Sequence, residues 1–533
     1  MGEIRCFGRS ASPGVAIGTL HVLQALAGGN RVAGSPSAEA KALVDAVEIA
    51  KAELAVLIAD AADEAGEILA FQVAMLEDEE LAAPARAAIT TGTPADFAWR
   101  KALDAQIADY AGSPDEYFRA RAADLTDIRD RVLQHLSGAQ AQTVPHGSVI
   151  AGEDLTPSRF LSHDWRAGGA IALAKGSPSS HVAMLARARH VPMVVGVDFD
   201  MAKLEPGAAA IVDGEAGIII LEPGADSRTA AGRRIAEQTR AEMEAQHFET
   251  RPAATVDGTN VSVLINVASP EELDRLDPAI CDGIGLVRTE LLFHGEHGLP
   301  DEERQFMIYR RIAEWAQGRP VTVRTLDAGG DKPIPGLTID GEANPFLGLR
   351  GLRLSLKRPE VFRIQLRALC RAAVTGSIKI MLPMVTVPGE LEEARLHLDA
   401  VVAELDAGKI AHRRPPLGIM VEVPSVALTP ERFAVDFFSI GSNDLTQYVM
   451  AAARDLDSVA HLANAADPAV LSLIARVAEY GEKAGIEVSL CGDAASDVNL
   501  VPHLLRAGLR RLSAAPGVVG RVKAAIASVD LGK

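Results

Sequence analysis

The chain has 533 residues, of which 48% are hydrophobic and 23% charged, as is typical of a globular protein with two or three domains. Its net charge of −18 argues against nucleic acid or an anionic membrane surface as the main partner. Four scattered cysteines, and the lack of an apolar leader or of a run near the roughly 18 apolar residues of a membrane span, indicate a cytoplasmic protein without disulfides.

Short strands interrupted by a helical segment are predicted in the first half of the chain. Strand-like sequence opens near Ile4, and glycine-punctuated apolar runs return at residues 148, 170, 192 and 209. Between them, three dipeptides place a helix-capping residue before a proline: Ser35-Pro36, Thr93-Pro94 and Ser113-Pro114. Two apolar stripes at helical spacing consist of Leu43, Val47, Ala50, Leu54 and Leu57, and of Leu125, Ile128, Val132 and Leu136.

A serine-rich turn precedes a short predicted helix near the middle of this half. The run from Gly176 to His181 contains three serines and a proline, and Ser179 or Ser180 can cap the helix. Because the free amides at a helix N-terminus favour phosphate, His181 is a candidate phosphoryl acceptor. A histidine in this position more often only supports the turn, so its residue context alone leaves both interpretations open.

Eight apolar, β-branched runs alternate with helical stretches in the second half of the chain. They begin at residues 261, 283, 321, 377, 417, 436, 487 and 510. This alternation predicts an α/β fold with a C-terminal (β/α)8 barrel, and such barrels carry their chemistry at the carboxyl ends of the strands. In this sequence those ends carry Arg288, Arg324, Glu422, Asp444, Cys491 and Ser513.

The patterns together predict a domain division. An α/β domain is expected at 1–35 and 138–224, with a helical bundle at 36–137 inserted between its strands. A solvated connector helix is expected at 225–252, followed by the barrel at 253–533.

The polar strand ends suit a small anion and a hard cation. Arginine binds phosphate or carboxylate through two parallel N–H donors, which lysine cannot supply. The candidate anion-binding residues are Arg288, Arg324 and Arg454. Glu422 and Asp444 are candidate ligands of magnesium (Mg²⁺), which binds through one or two carboxylates plus substrate oxygens. The alternatives are that Glu422 is a buried partner of an arginine, and that Cys491 is a small core residue.

Several motifs resemble those of enzymes that use phosphoenolpyruvate. The run GSPSSHVAMLARARHVPMVVG is similar to the phosphohistidine signature shared by enzyme I of the sugar phosphotransferase system, pyruvate phosphate dikinase and phosphoenolpyruvate synthase. The runs GIGLVRTELLF, VRTLDAGGDK, ANPFLGLR, VEVPS, FFSIGSNDLTQY and LCGDAA resemble the barrel of these enzymes. SASPGVAIG and DLTPSRF resemble enzyme I in particular, and the chain has no room for the ATP-grasp domain of the other two.

The resemblance implies an enzyme that transfers the phosphoryl group of phosphoenolpyruvate to His181 and then to the phosphocarrier HPr, releasing pyruvate. It implies that Asn443 and Arg350 contact the substrate and that Cys491 protonates the enolate. It also implies that the phosphohistidine domain swings about the connector helix, and that HPr docks on the inserted helices. We expect docking at the acidic cluster 77–80 beside Met75 and Leu76, where charge suits a basic partner.

Four positions depart from the family pattern. Gln72 replaces a histidine, Ser177 a glycine, Ser179 a threonine and Asp493 a glutamate. We expect phosphotransfer to survive the serine changes, and we expect Gln72 to affect carrier docking. The family also forms dimers through its barrels, and the chain ends at Lys533, about two helices earlier than is usual, so we expect a weaker homodimer.

Two other functions remain open at this point. One is an enzyme I-like phosphotransferase that serves a regulatory, nitrogen-type carrier, which the lack of a regulatory domain before residue 1 disfavours. The other is a phosphoenolpyruvate-sensing regulator with an inactive barrel. Joint retention of the arginines, Glu422, Asp444 and Cys491 disfavours this second alternative, because a sensor needs no proton donor.

Overall fold

The chain folds into two units, Met1–Thr239 and Arg240–Lys533, whose boundary falls within one long helix. The structure is a computed structural model. It describes residues 3–23, 33–60, 63–112, 116–137, 144–178, 180–293, 299–330, 332–339, 341–453, 456 and 458–532. In this part of the chain, no helix is long and apolar enough to cross a membrane.

The first unit is built on an eight-stranded mixed sheet. Its strands are β1 (Ile4–Phe7), β2 (Arg9–Ser12), β3 (Val15–Val22), β4 (Val149–Gly152), β5 (Ala170–Leu173), β6 (Met193–Val195), β7 (Ala209–Asp213) and β8 (Ile218–Leu221). Their order in the sheet is β1-β8-β7-β3-β4-β5-β6-β2. The strands from β3 to β6 run parallel, and the outer strands pair antiparallel. The apolar runs of the first half therefore share one sheet.

Eight α-helices belong to the described part of this unit or begin in it. They are α1 (Pro36–Asp60), α2 (Asp63–Glu77), α3 (Glu79–Thr90), α4 (Ala95–Ala111), α5 (Glu116–Ser137), α6 (Pro157–Leu161), α7 (His181–Ala188) and α8 (Ala225–Phe248). Helices α1 to α5 lie between β3 and β4, which pair directly with each other, so they form an insertion into the sheet. The predicted stripes face its core, where Leu54 and Val132 are fully buried while Val47 and Leu57 are partly buried.

The helix starts match two of the three proline signals. Helix α1 begins at Pro36, and α4 begins directly after Pro94. The third signal, Ser113-Pro114, lies outside the described residues. Helix α8 is mostly exposed, with Ala231 as its one buried residue, which is the solvated character expected of the connector. The finer domain bounds stay a prediction.

The second unit is a closed barrel. Its strands are β9 (Ala253–Ala254), β10 (Asn260–Val267), β11 (Ile284–Val287), β12 (Pro320–Arg324), β13 (Ser377–Leu382), β14 (Leu417–Val421), β15 (Phe437–Ile440), β16 (Glu487–Leu490) and β17 (Arg511–Ala514). Strands β10 to β17 pair in parallel, and β10 contacts both β11 and β17, which closes the barrel. The eight predicted strands and the barrel are confirmed.

Helices alternate with the barrel strands. They are α9 (Glu302–Trp315), α10 (Leu352–Lys357), α11 (Pro359–Ala372), α12 (Pro388–Ala407), α13 (Pro424–Leu428), α14 (Ser442–Met450), α15 (Pro468–Ala484), α16 (Val501–Arg506) and α17 (Val519–Ala527). Inside the barrel, a small apolar cluster consists of Leu286, Met381, Met420, Phe437 and Cys491. Three of its members also line the cavity at the barrel mouth, so the cavity has an apolar base.

Candidate active site

A cavity of about 310 Å³ opens at the carboxyl ends of the barrel strands. It is lined by Leu286, Arg288, Arg324, Lys332, Met420, Glu422, Gly441, Asn443, Asp444, Cys491, Gly492 and Asp493. Six of the nine predicted site residues are among these. Arg350 is not part of the lining, His181 belongs to the first unit, and Arg454 lies outside the described residues.

Arg324, the last residue of β12, is buried beside two carboxylates. Its Nη2 lies 3.0 Å from Glu290 Oε1, and its Nη1 lies 3.3 Å from Asp327 Oδ2. Burial alone would lower the pKa of Arg324, but Glu290 and Asp327 raise it well above its ordinary value. Its Nε is buried without a partner among the described residues. The guanidinium therefore stays charged where Arg324 lines the cavity.

Arg350 is fully buried and bridges two carboxylates. Its Nε and Nη2 each lie 3.1 Å from an oxygen of Asp327, and Nη1 and Nη2 each lie 3.0 Å from an oxygen of Asp444. Burial would raise the pKa of Asp327, yet Arg324, Lys332 and Arg350 hold it far below its ordinary value. Arg350 thus fixes Asp444 from behind the cavity wall.

Glu422 and Asp444 present carboxylates to the same cavity. Glu422 Oε1 accepts a hydrogen bond of 2.6 Å from the backbone N–H of Met384, whose φ of +58° is unusual for a residue with a side chain. Burial first, and then the charge of Asp444, raises the pKa of Glu422 to about 8. A Cβ at Gly441 would lie 3.1 Å from Glu422 Oε2, so glycine leaves this oxygen accessible. Two mutually repelling carboxylates are a favourable donor set for a hard cation.

The described residues contain no group of three or more histidine, cysteine or acidic side chains arranged to hold a metal ion. Mg²⁺ usually binds through one or two carboxylates and completes its coordination with substrate oxygens and water, which suits the pair formed by Glu422 and Asp444.

Asn443 and Asp493 hold each other at the rim of the cavity. Asn443 Nδ2 donates to Asp493 Oδ2, and the backbone N–H of Asp493 donates to Asn443 Oδ1, each over 2.8 Å. Gly492, the residue before Asp493, permits this close approach of the two segments, because a Cβ there would clash with Ser442 Oγ and with the Ser442 backbone nitrogen. Asp493, whose side chain is shorter than the glutamate of the family pattern, thus hydrogen-bonds directly to Asn443, the candidate phosphate-binding residue.

Cys491 follows β16 and is buried at the base of the cavity. Its Sγ lies 3.7 Å from the carbonyl oxygen of Ile440. Burial raises the pKa of Cys491 to about 11, so the thiol is protonated at neutral pH. A buried, protonated thiol in the substrate cavity has the properties that a proton donor requires.

His181 begins helix α7 in the first unit. Ser180 is the N-cap, and its side chain accepts a hydrogen bond from the backbone N–H of Ala183. The ring of His181 is 24% exposed, and its Nδ1 lies 4.0 Å from Oδ1 of the buried Asp124. This leaves Nε2 as the nitrogen not directed at the carboxylate. Ser179 lies outside the described residues.

A buried polar network stands behind His181. Gln72 is fully buried, and its Nε2 lies 3.3 Å from Asp124 Oδ1 and 3.2 Å from Asp127 Oδ2. Asp127 also accepts hydrogen bonds from the backbone N–H and the hydroxyl of Ser158. The side chain of Gln72 thus faces the carboxylate next to His181, and its effect on carrier docking stays a prediction.

The acidic cluster 77–80 is exposed, as docking requires. Asp78 caps helix α3 by accepting a hydrogen bond from the backbone N–H of Glu80. Leu76, however, is only 7% exposed and packs in the helical core, while Met75 is partly buried against that core. The expectation that Leu76 adds apolar surface for docking is therefore wrong, because its side chain is buried in the helical core.

Three residues that the sequence reasoning missed complete the two sites. Lys332 lines the barrel cavity, and its Nζ lies 2.8 Å from Asp327 Oδ2. Both belong to the run VRTLDAGGDK, so the motif contained the signal. Asp124 lies 57 residues before His181, and no local pattern in the sequence connects the two.

Comparisons with known proteins cover almost the whole chain. Residues 242–531 match the PEP-utilising enzyme, PEP-binding domain; residues 7–121 match the N-terminal domain, and 144–217 the mobile domain. The phosphoenolpyruvate-protein phosphotransferase of Geobacillus stearothermophilus is 37% identical, covering 95% of this chain and 90% of that protein. That of Bacillus subtilis (strain 168) is 35% identical, covering 95% and 91%. The chain belongs to the phosphoenolpyruvate-protein phosphotransferase family.

Family membership confirms the resemblance to enzyme I and the assignment of the chain as a transferase. The match to the PEP-binding domain covers the barrel, whose mouth holds the cavity. The match to the mobile domain includes His181. The roles of individual residues in this phosphotransferase stay proposals.

Proposed function

We propose that the chain moves the phosphoryl group of phosphoenolpyruvate to His181 and then to the phosphocarrier HPr, with release of pyruvate. One observation carries this proposal. A single barrel cavity combines two arginines, three carboxylates and a protonated thiol, in a chain of the family that is named for this reaction. The acceptor and the substrate residues belong to different units of the chain.

The cationic side chains bind the substrate anion. Arg288, Arg324 and Lys332 line the cavity, and the charged guanidinium of Arg324 suits a direct contact with phosphate or carboxylate. Asn443, held by Asp493, contacts the phosphate with its amide. Arg454, which lies outside the described residues, remains a candidate on the sequence alone. Arg350 already engages two carboxylates, so we assign it to holding Asp444.

Glu422 and Asp444 would hold Mg²⁺. The residues fit this cation, because two carboxylates line one cavity and Gly441 keeps an oxygen of Glu422 accessible. When bound, such a cation neutralises charge on the phosphoryl group as the bond to the enol oxygen weakens.

The transfer itself is assigned to His181 Nε2. The Nε2 lone pair attacks phosphorus, the phosphorus–enol oxygen bond breaks, and its electron pair leaves with the enolate. Asp124 stabilises the positive charge that develops on the ring while Nδ1 keeps its proton. The Cys491 thiol then donates its proton to the methylene carbon, which gives pyruvate, and solvent reprotonates the thiolate.

We further propose HPr docking on the inserted helices at the acidic cluster 77–80, a barrel-mediated homodimer and a cytoplasmic location. Docking is supported by the four exposed acidic side chains. The dimer is supported by the resemblance to enzyme I, and sedimentation at several concentrations with and without Mg²⁺ and phosphoenolpyruvate tests it.

The decisive experiment measures acid-labile labelling from labelled phosphoenolpyruvate. His181→Ala should abolish the label, and His247→Ala, on the exposed helix α8, should keep it. Adding HPr to labelled wild type should transfer the label to HPr with release of pyruvate. Label that persists in His181→Ala would assign the acceptor to another residue.

A further inference from the structure

A second cavity, of about 630 Å³, lies within the first unit. Its walls come from helices α1, α5 and α6 and from residues at the ends of β3 and β4. The volume lies within the range of about 300–1,000 Å³ that is usual for small-molecule sites. None of its lining residues has a role in the phosphotransfer proposed above.

One part of this cavity is apolar. Leu23, Ile150 and Leu155 are each less than 10% exposed, and Leu57 of α1 is partly buried beside them. An apolar wall of this kind would bury an aliphatic or aromatic body of a ligand.

The polar part of the cavity carries two carboxylates, Glu53 and Asp164, and two arginines, Arg131 and Arg159. The two lining carboxylates already have arginine partners: Glu53 lies 2.6 Å from Arg131, and Asp164 lies 2.8 Å from Arg166. By contrast, the guanidinium of Arg159 has no hydrogen bond or ion pair among the residues that the structure describes. A cavity whose own carboxylates are engaged, while an arginine is not, favours an anion.

Two histidines belong to the same lining. His146 and His163 stack with ring centroids 6.2 Å apart, and both line the cavity. Burial lowers the pKa of His163, and neighbouring His146 lowers it further. With Arg131 and Arg159, they are the basic side chains that an anion in this cavity would meet.

We propose that this cavity is a second binding site, for a small amphipathic anion that carries a carboxylate or phosphate on an apolar body. Arg159 binds the anionic group, His146 and His163 lie beside it, and the apolar wall covers the body. A cation would meet Arg131 and Arg159, and a neutral apolar molecule would leave the guanidinium of Arg159 without a partner.

The test uses phenyl phosphate as the probe and titration calorimetry on the full chain. Wild type should bind phenyl phosphate more tightly than inorganic phosphate or phenol alone, because each of those lacks one half of the ligand. Arg159→Gln should lower the affinity for phenyl phosphate at least 10-fold, since a charge-assisted hydrogen bond is lost. Arg86→Gln is the matched control, because Arg86 is an exposed arginine of the same unit that is not part of the lining.

The barrel is a second place where a phosphate can bind, so Arg288→Gln is titrated in parallel. Cavity binding should persist in Arg288→Gln, and the Cε1–H resonances of His146 and His163 should shift on adding the probe. Equal phenyl phosphate affinity in Arg159→Gln and wild type would overturn the proposal. Phenyl phosphate binding that is lost in Arg288→Gln and kept in Arg159→Gln would also overturn it. So would an affinity for inorganic phosphate equal to that for phenyl phosphate.

Discussion

Replacing Asp124 by asparagine tests whether the carboxylate behind His181 contributes to phosphoryl transfer. Two unit charges 4.0 Å apart attract by about 4 kcal/mol at an effective dielectric constant near 20. Since the ring gains positive charge as the Nε2–phosphorus bond forms, this attraction would lower the barrier by up to about 1,000-fold in rate. The ring is 24% exposed, so solvent weakens the effect. We expect Asp124→Asn to slow autophosphorylation by about 10- to 1,000-fold.

The assay is single-turnover labelling of the chain with phosphoenolpyruvate, followed by rapid quenching. Affinity for phosphoenolpyruvate should be unchanged, because Asp124 and the barrel cavity belong to different units. Asp130→Asn is the control, since Asp130 lies on the same helix, is partly exposed and pairs with Arg129. Thermal unfolding checks that the network of Gln72 and Asp127 survives. A labelling rate within twofold of wild type would refute the argument that Asp124 stabilises the charged ring.

Three further predictions concern the barrel and the docking surface. Cys491→Ala should slow pyruvate release by about 10²–10⁴-fold, measured by rapid quench, while calorimetry should show an unchanged affinity for phosphoenolpyruvate. Near-normal turnover in this variant would indicate that the cysteine is only structural. Reversing the charges of Glu77 and Glu80 should slow transfer to HPr, most strongly at low salt, and leave autophosphorylation unchanged; equal rates across a salt series would move docking elsewhere. Arg350→Met should destabilise the barrel by about 3–5 kcal/mol, since it removes the arginine that pairs with the buried Asp444 and one of the three cationic partners of Asp327. The depressed pKa of Asp327 contributes stability at pH values above 3.8, the ordinary pKa of aspartate. The stability lost in Arg350→Met, measured by thermal unfolding, should therefore become smaller below pH 3.8. A loss of stability that does not depend on pH would contradict the role of Asp327.

The barrel could be predicted because its signals are local. Each strand is a short β-branched run, and the polar residue that follows it marks the catalytic end of a barrel strand. Arg324 ends β12, Glu422 follows β14 and Cys491 follows β16, so their meeting in one cavity follows from parallel strand order. The apolar stripes of the inserted helices could also be predicted, because helical periodicity determines which face of a helix is buried.

The contacts between distant segments could not be predicted in this way. Arg350 lies in an arginine-rich stretch, and only the fold brings it to Asp444, which is 94 residues away. Helical periodicity assigns Gln72 to a face of α2 but not to a neighbour, so its burial against Asp124 was missed. Pairings of this kind depend on how helices pack against each other, which periodicity alone does not specify.

The charge balance of the barrel cavity yields the last prediction. Four cationic side chains lie in or directly behind it: Arg288, Arg324, Lys332 and Arg350. Five carboxylates accompany them among the described residues: Glu290, Asp327, Glu422, Asp444 and Asp493. The described cations are therefore already offset, and phosphoenolpyruvate, which is trianionic when fully ionised, would add uncompensated negative charge.

A divalent cation at Glu422 and Asp444 would supply the missing positive charge, so Mg²⁺ and phosphoenolpyruvate should each tighten the binding of the other. By linkage the two enhancements are equal, and a coupling of about 1–3 kcal/mol corresponds to about 5- to 150-fold. Calorimetry on His181→Ala, which cannot turn over, measures the coupling directly. Adding Glu422→Gln removes one ligand of the cation. Because the pKa of Glu422 is raised to about 8, its side chain is largely protonated near neutral pH without metal, so the affinity for phosphoenolpyruvate without Mg²⁺ should change little and should gain little when Mg²⁺ is added. Equal coupling with and without Glu422→Gln would show that this carboxylate does not hold the cation.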